Sequence, residues 1–405
     1  MFKNKELLSI FIVVFIDLLG YSIILPLLPY YADVFKATPE VIGYLVASYS
    51  VFQFVASPVL GGLSDKYGRR PLLIYSQIGS MMGFILLALA QSLPILFLSR
   101  IIDGISGGNL TIAQAYITDI TEPKDRSGAL AVIGIAFGLG FLLGPLIGGT
   151  LAKHYGYSVP ALAAAGLSFI SIMLSTFYLK EPKVHRSDET TKSGVQYFSR
   201  VAKNTVDYFR DKHLRQFLLV FLFFALPFAL YVSMFSLFAK LELQFDEEQV
   251  GLFLAYVGLL GIIYQGGLVR PLVRRLGDLK VVRIGMLSLA IGLLALVFAR
   301  DWHVLMIVAL FFSFGSSVTR PTLSSLISQA APPNRRGGAL GVASALDSLS
   351  RSIAPILGGW IIGGLHPNYL GYVGSGLGFI GAIFAFSTSY KETHREVLVD
   401  ETQIQ

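Results

Sequence analysis

The chain is dominated by apolar runs about as long as a bilayer is thick. Twelve stand out, at about 7–30, 41–60, 72–91, 94–117, 127–151, 158–179, 215–239, 249–269, 280–299, 303–329, 338–363 and 369–390. A helix needs roughly 20 apolar residues to cross a hydrocarbon core of about 30 Å. Unpaired backbone groups are too costly in lipid, so each run must satisfy its own hydrogen bonds as a helix. A membrane barrel would alternate apolar and polar residues. These runs are apolar on every face, which excludes a barrel. Only 14% of the residues are charged, against about 25% in soluble chains. The expected fold is an all-α membrane protein of twelve transmembrane helices, with both termini on one side.

Lys and Arg set the orientation, because they accumulate in cytoplasmic loops. With the N-terminus inside, 25 of the 32 Lys and Arg fall in inner segments and 4 in outer loops, at Lys36, Lys153, Lys240 and Arg300. Both termini are therefore expected in the cytoplasm. The net charge of +7 then reads as loop charge, and no nucleic-acid partner is expected. There is no cysteine and the six histidines are scattered, so neither a metal nor another cofactor is expected. Lys3 and Lys5 precede an apolar run in the manner of a signal peptide. That run is too long, contains Asp17 and lacks a small-residue cleavage site, so it is expected to stay as the first helix.

One long polar stretch divides the chain. The expected organisation is a six-helix bundle over 1–180, a cytoplasmic linker over 181–214, a second six-helix bundle over 215–392 and a tail over 393–405. Within the linker, Phe198, Ala202, Val206 and Phe209 recur at helical spacing, with Arg200, Lys203, Arg210 and Lys212 on other faces. An interfacial helix and a solvated linker both fit. The bundles repeat each other. A shift of 210 lays Arg126, Gly128 and Leu130 on Arg336, Gly338 and Leu340, Pro123 on Pro333, and Pro145, Gly148 and Gly149 on Pro355, Gly358 and Gly359. A shift of 209 lays Gly68 on Gly277. Paired halves with a substrate path between them are a transporter architecture.

Four motifs stand out within this frame. Between the second and third segments lies Gly61-x3-Asp65-Lys66-x-Gly68-Arg69-Arg70, read as a charged hairpin loop. Gly61 and Gly68 are suited to close approach or unusual backbone angles. Asp65 is suited to a helix N-terminus, and Arg69 to a forked pair with Asp119 at the inner end of the fourth segment. The fifth segment carries Gly140, Gly144, Pro145, Gly148 and Gly149, small residues that let helices approach closely around a proline that permits a bend. The first segment reads Asp17-Leu18-Leu19-Gly20-Tyr21, with Pro26 and Pro29 following. The fourth reads Arg100-x3-Gly104-x2-Gly107.

In this order these motifs resemble the major facilitator superfamily, in particular its twelve-helix drug/proton antiporter branch, which includes tetracycline efflux proteins. The resemblance covers essentially the whole chain. It implies that the hairpin latches the two halves when the protein is open outward; the small-residue spacing of the fifth segment, for its part, lets it pack against its mirror in the other half. It departs from tetracycline pumps in one respect: Val281–Ala299 holds no acidic residue.

Six charges lie well inside the apolar segments: Asp17, Arg100, Asp103, Arg320, Asp347 and Arg351. Intramembrane charges are costly and mark function by default. Asp17, Asp103 and Asp347 are the candidates for carrying protons, with structural ion pairing as the competing role. Arg100 and Asp103 share a helix face, as do Asp347 and Arg351, and Arg320 stands at a depth that allows a pair with Asp347. Tyr21, Gln53, Asn109, Gln114, Tyr231, Phe235, Tyr256, Gln265 and Phe314 are the candidates for lining a substrate cavity.

The expected function is secondary transport by alternating access, exporting amphiphilic drug-like small molecules in exchange for protons. The expected setting is a multi-pass monomer in a bacterial inner membrane. A proton-coupled symporter or facilitator of a metabolite or sugar stays open, as does a receptor or scaffold that does not transport. No Gly-x4-Gly-Lys-Ser/Thr loop occurs, so ATP hydrolysis is excluded as the drive and no enzyme is expected.

Overall fold

The computed structural model describes residues 5–122, 125–182, 208–332 and 335–388. Most of the linker, including 195–207 of the interfacial helix considered above, and the tail 393–405 lie outside these residues. Among the described residues the structure is helical, with no strand.

Among the described residues, fifteen complete α-helices follow in chain order. They are α1 (Lys5–Ile24), α2 (Leu28–Val34), α3 (Pro39–Tyr67), α4 (Arg69–Ala88), α5 (Leu93–Ser106), α6 (Asn109–Ile120), α7 (Arg126–Tyr155), α8 (Ser158–Phe177), α9 (Lys212–Glu242), α10 (Glu247–Ile263), α11 (Val269–Leu276), α12 (Asp278–Leu296), α13 (Trp302–Ala330), α14 (Arg336–Gly364) and α15 (Tyr369–Ser387). Several form single rods with a local defect. A 3-10 turn at Leu25–Leu27 joins α1 to α2, where Pro26 and Pro29 each remove a backbone donor. Gly107 and Gly108 separate α5 from α6. A π turn at Tyr264–Leu268 joins α10 to α11. Eleven of the rods are long and apolar enough to cross a membrane. The 29 residues of α14 are long enough too, but its serines, glycines, Asp347 and Arg351 make it more polar.

The segment 61–71 corrects the expectation of a loop. Residues up to Tyr67 continue α3, α4 starts at Arg69, and the whole turn is Gly68. Its φ of 108° and ψ of 150° are reached readily only without a Cβ. Gly277 turns α11 into α12 in the same way, at φ 83° and ψ 159°. Gly61 needs no such freedom: it is helical, and a Cβ there would stand 3.6 Å from Thr111 Cγ2.

The helices before and after the linker pack mainly among themselves, α1 on α7 and α8, α9 on α14 and α15. Ile10, Val13, Ile112, Tyr116 and Val132 are fully buried in one core. Phe224, Phe235, Phe253 and Phe312 belong to the other, which also takes in Ile23, Tyr30 and Phe84 of the first half. Two crossings join the halves, α3 on α14 and α10 on α7. They are copies of one another. A Cβ on Gly43 would stand 2.5 Å from Pro355 O and 3.1 Å from Gly359 Cα. A Cβ on Gly251 would collide with Pro145 O and stand 3.4 Å from Gly149 Cα. The backbones touch because neither side carries a side chain there. Of the fifth-segment glycines, Gly149 therefore meets α10 and Gly140, Gly144 and Gly148 meet α1, and none meets its counterpart in α14. The reason is that α7 and α14 each cross a helix of the other half that bears its own glycine.

Away from these crossings, toward Arg69, the halves diverge. A Cβ on Gly62, Gly266, Gly267, Gly337 or Gly341 would meet nothing within 4 Å. Val51, Val55 and Gln265 are exposed on the same helices. The result is a cleft closed at the Gly43/Gly251 end and open at the Gly68/Gly277 end.

Candidate transport site and its gates

The closed end is sealed by charge as well as by backbone contact. Lys153 Nζ lies 2.6 Å from Glu248 Oε2 and 3.1 Å from Asp246 Oδ2, and Tyr157 donates a hydrogen bond to Glu247. Lys240 Nζ lies 2.5 Å from Asp33 Oδ2, and Tyr30 Oη donates to Phe245 O at 2.7 Å. Each contact runs from one half to the other. Asp246 also caps α10, accepting from Gln249 N. Burial raises its carboxyl, but this hydrogen bond and Lys153 outweigh that and hold it below the usual value.

At the open end the charged cluster stays within one half. Arg69 Nε donates to Asp119 Oδ2 at 2.8 Å, Nη2 stands 2.5 Å from Asp65 Oδ1, and Nη1 donates to Ser64 Oγ at 2.7 Å. Asp65 is bound to Arg69 and 65% exposed, so it does not sit on a helix N-terminus. That place belongs to Glu181, whose oxygens accept from the backbone N–H of Arg69 and Arg70 at 2.8 and 2.9 Å. A carboxylate there satisfies free donors and meets the positive end of α4. Glu181 is distant in sequence from the motif and carries no spacing signal that links it to the turn.

Three of the intramembrane charges belong to α1 and α5. Asp17 accepts from Asn109 Nδ2 at 3.1 Å and Gln77 Nε2 at 3.3 Å. Gln77 Nε2 also donates to Ser171 Oγ at 2.8 Å. Arg100 and Asp103 pair at 3.1 Å with side chains only 2% and 4% exposed, and Arg100 lies over the Phe84 ring. The other three converge from α13 and α14. Asp347 Oδ1 is 2.5 Å from Arg320 and Oδ2 is 2.8 Å from Arg351. The two arginines are 42% and 43% exposed, the aspartate only 8%.

The cavity candidates separate. Tyr21 stacks near Tyr49, ring centres 5.0 Å apart. Gln53 Nε2 donates to Tyr49 Oη and to Gly107 O, at 2.9 and 2.8 Å. Tyr49 lies six residues beyond Gly43 on α3 and Arg351 four residues before Pro355 on α14, so the Gly43–Pro355 crossing sets this group at the depth of the Asp347 cluster. Gln114 and Gln265 are exposed, and Gln265 Nε2 would lie 4.0 Å from a Cβ on Gly134 of the other half. Tyr231 and Phe235 correct the expectation. Both are 1% exposed or less, packed against Phe312 and Phe253. Tyr256 packs beside the same core. Phe314 meets Tyr264 edge-on and lines a separate apolar groove of about 460 Å³ with Ile284, Leu287 and Phe311. Besides Glu181, Tyr49 is a residue that sequence reasoning missed. Its signal is its position one turn before Gln53.

The fifth-segment motif positions α1. A Cβ on Gly140 would stand 3.4 Å from Leu18, and one on Gly144 or Gly148 would collide with Ser22 or the Ile23 carbonyl. Ser22 Oγ donates to Gly140 O at 2.7 Å. Gly104 serves α3 likewise, 2.6 Å from Tyr49 O for an added Cβ. Among the described residues no cluster of His, Cys, Asp and Glu is arranged to hold a metal.

Comparison with known proteins places this geometry. The family model described as Major Facilitator Superfamily matches residues 10–278 and 267–403. The tetracycline resistance protein, class H, of Pasteurella multocida is 28% identical over 358 residues, covering 87% of this chain and 88% of its own. Multidrug resistance protein 2 of Bacillus subtilis (strain 168) is 27% identical over 366 residues, covering 88% and 89%. Among solved structures, a mutant of the nucleoside transporter NupG superposes with a TM-score of 0.78 at 13% identity, covering 95% of this chain and 99% of its own.

Proposed function

The chain belongs to the Major Facilitator Superfamily, and from that premise we propose that it is a proton-driven exporter of amphiphilic, drug-like small molecules working by alternating access. It is a multi-pass membrane transporter and not an enzyme. In this reading α14 also spans, as the eleventh of twelve, the two halves are pseudo-symmetric six-helix bundles, both termini and the Gly68 turn are cytoplasmic, and the membrane is a bacterial plasma membrane. The cleft is then open to the cytoplasm, ready to load substrate for export. The relatives named for tetracycline and multidrug resistance support export over a sugar or metabolite symporter.

The observation that carries the proposal is the matched pair of glycine crossings beside a charged cleft. Backbone-on-backbone contact at Gly43–Pro355 and Gly251–Pro145 gives each half a fulcrum on the other. Rocking about both would open the Lys153 end and close the Arg69 end. The cluster around Arg69, Asp65 and Asp119 would then serve as the latch of the outward-open state. For proton coupling, Asp17 is best placed. Two amides hold it, so its charge changes without breaking an ion pair. Asp103 and Asp347 are each locked to arginine, so protonating either one would break a buried ion pair.

The test is flux in proteoliposomes under an imposed pH gradient, with tetracycline and lipophilic cations as cargo. Gradient-driven flux that collapses in Asp17→Asn is the expected result. Absence of flux for every cargo defeats the transport reading, and unchanged coupling in Asp17→Asn, Asp103→Asn and Asp347→Asn defeats the carboxylate assignment.

A further inference from the structure

Two arginines share one carboxylate in the middle of α13 and α14. Both oxygens of Asp347 are engaged, Oδ1 by Arg320 at 2.5 Å and Oδ2 by Arg351 at 2.8 Å. The cluster therefore keeps one positive charge in excess. In the apolar zone of a membrane an uncompensated charge is expensive, and this one is not buried away from the cleft. Arg320 and Arg351 are 42% and 43% exposed.

The two guanidiniums are not equivalent. Arg320 lies on the rings of Phe224 and Phe228, 5.8 and 5.5 Å from their centres, which fixes its plane. Arg351 stands four residues before Pro355 on α14 and Tyr49 six residues beyond Gly43 on α3, so the Gly43–Pro355 contact between these antiparallel helices sets Arg351 at the depth of the Tyr21–Tyr49 pair on the opposite wall. Those rings are 5.0 Å apart, and Gln53 anchors the Tyr49 hydroxyl. Of the remaining charges of that wall, Arg100 and Asp103 neutralise each other out of solvent, and Asp17, whose partners Asn109 and Gln77 are neutral, offsets the excess only in its ionised form, so the excess stands when Asp17 holds a proton.

We propose that Arg351 receives the anionic group of an aromatic carboxylate whose ring lies against Tyr21 and Tyr49. A guanidinium presents two parallel N–H groups to a carboxylate, a geometry an ammonium lacks. The substrate carboxylate supplies the counter-charge that Asp347, shared between two bases, supplies only in part. Lipophilic cations meet the excess charge with the wrong sign. This inference rests on the transporter reading above and narrows its cargo to anionic or zwitterionic aromatics.

Three probes of matched shape test it: 1-naphthoate, 1-naphthamide and 1-naphthylmethylammonium, bound to the purified full chain in nanodiscs and measured by calorimetry. Naphthoate should bind the unsubstituted protein at least about tenfold more tightly than the ammonium, a gap of the size expected for one charge-assisted pair. Arg351→Gln should lose that preference while naphthamide binding is unchanged, and Arg351→Lys should restore part of it. Tyr49→Leu should weaken all three probes together. Equal or tighter binding of the ammonium to the unsubstituted protein overturns the proposal, whether or not the variants fold. So does an intact naphthoate preference in Arg351→Gln. Gradient-driven flux of cations with no naphthoate preference sinks this inference and leaves the export reading standing. Naphthoate preference without any gradient-driven flux does the reverse.

Discussion

Lys153 Nζ stands 2.6 Å from Glu248 Oε2, across the join between the halves, with Asp246 as its second carboxylate partner. Acid should loosen this end. Asp246 titrates below its ordinary value of 3.8 when paired, because the Gln249 N–H and Lys153 outweigh burial. A carboxyl held low stabilises the paired state fully above its ordinary value, and that contribution fades as pH falls toward the lowered one. Closure is therefore expected to be flat near neutrality and to weaken below about pH 4. Lys153→Met should flatten the acid limb. The chain has no cysteine, so a spin-label pair introduced at this end reads the distance directly; an unchanged acid limb in Lys153→Met refutes the role.

Gly149→Leu should prevent this end from closing. An added Cβ alone would collide with the Glu247 carbonyl, and backbone has no rotamer by which to yield. The variant should insert normally, lose transport, and show the Lys153–Glu248 gap widened in the same distance measurement. Gly166→Ala is the control. A Cβ there meets nothing within 4 Å, and helix propensity alone makes it neutral or up to about 1 kcal/mol stabilising.

Asp103→Asn and Asp17→Asn should separate stability from coupling. Removing Asp103 strands Arg100, which is 2% exposed. Breaking a buried pair in this way costs about 3–5 kcal/mol, so the melting temperature should drop measurably. Asp17 has neutral hydrogen-bond partners, the amides of Asn109 and Gln77 and the hydroxyl of Ser171, and its replacement should leave melting nearly unchanged while abolishing gradient-driven flux. Equal melting shifts in the two variants refute the distinction.

Asp65→Asn tests the latch. Asp65 is mostly exposed and bound to Arg69 alone, so the variant should fold and insert like the unsubstituted protein. Losing one charge-assisted hydrogen bond, worth about 1.5–3 kcal/mol, from the outward-open state should slow transport about tenfold or more. A transport rate equal to that of the unsubstituted protein removes the latch role.

How far these features are legible in the sequence depends on what each rests on. The membrane rods are legible because lipid demands length and apolarity, and both are written residue by residue. The pairing of Arg320 with Asp347 follows from depth along two neighbouring segments. Burial of Tyr231 and Phe235 does not follow, because α9 is apolar on nearly every face and hydropathy cannot say which one meets α13. Glu181 at the start of α4 is equally silent, being fixed by tertiary contact alone. The turn at Gly68 reads as a loop because charge suggests solvent, whereas α3 and α4 simply continue as helix out of the apolar zone.

The π turn at Tyr264–Leu268 bears on how two copies of one ancestral half can differ and still mesh. The offset between the halves is 208 residues at the crossing, from Gly43 to Gly251, and 209 at the turn, from Gly68 to Gly277. One extra residue has entered the second rod between them. In a regular helix a single insertion would swing everything beyond it by about 100°. A widened turn takes up that residue locally, so the crossing and the turn both keep their faces. Deleting one residue there, Gly266 or Gly267, would return the rod to the geometry of its twin. The second half thus preserves an insertion as a change of pitch within a continuous rod.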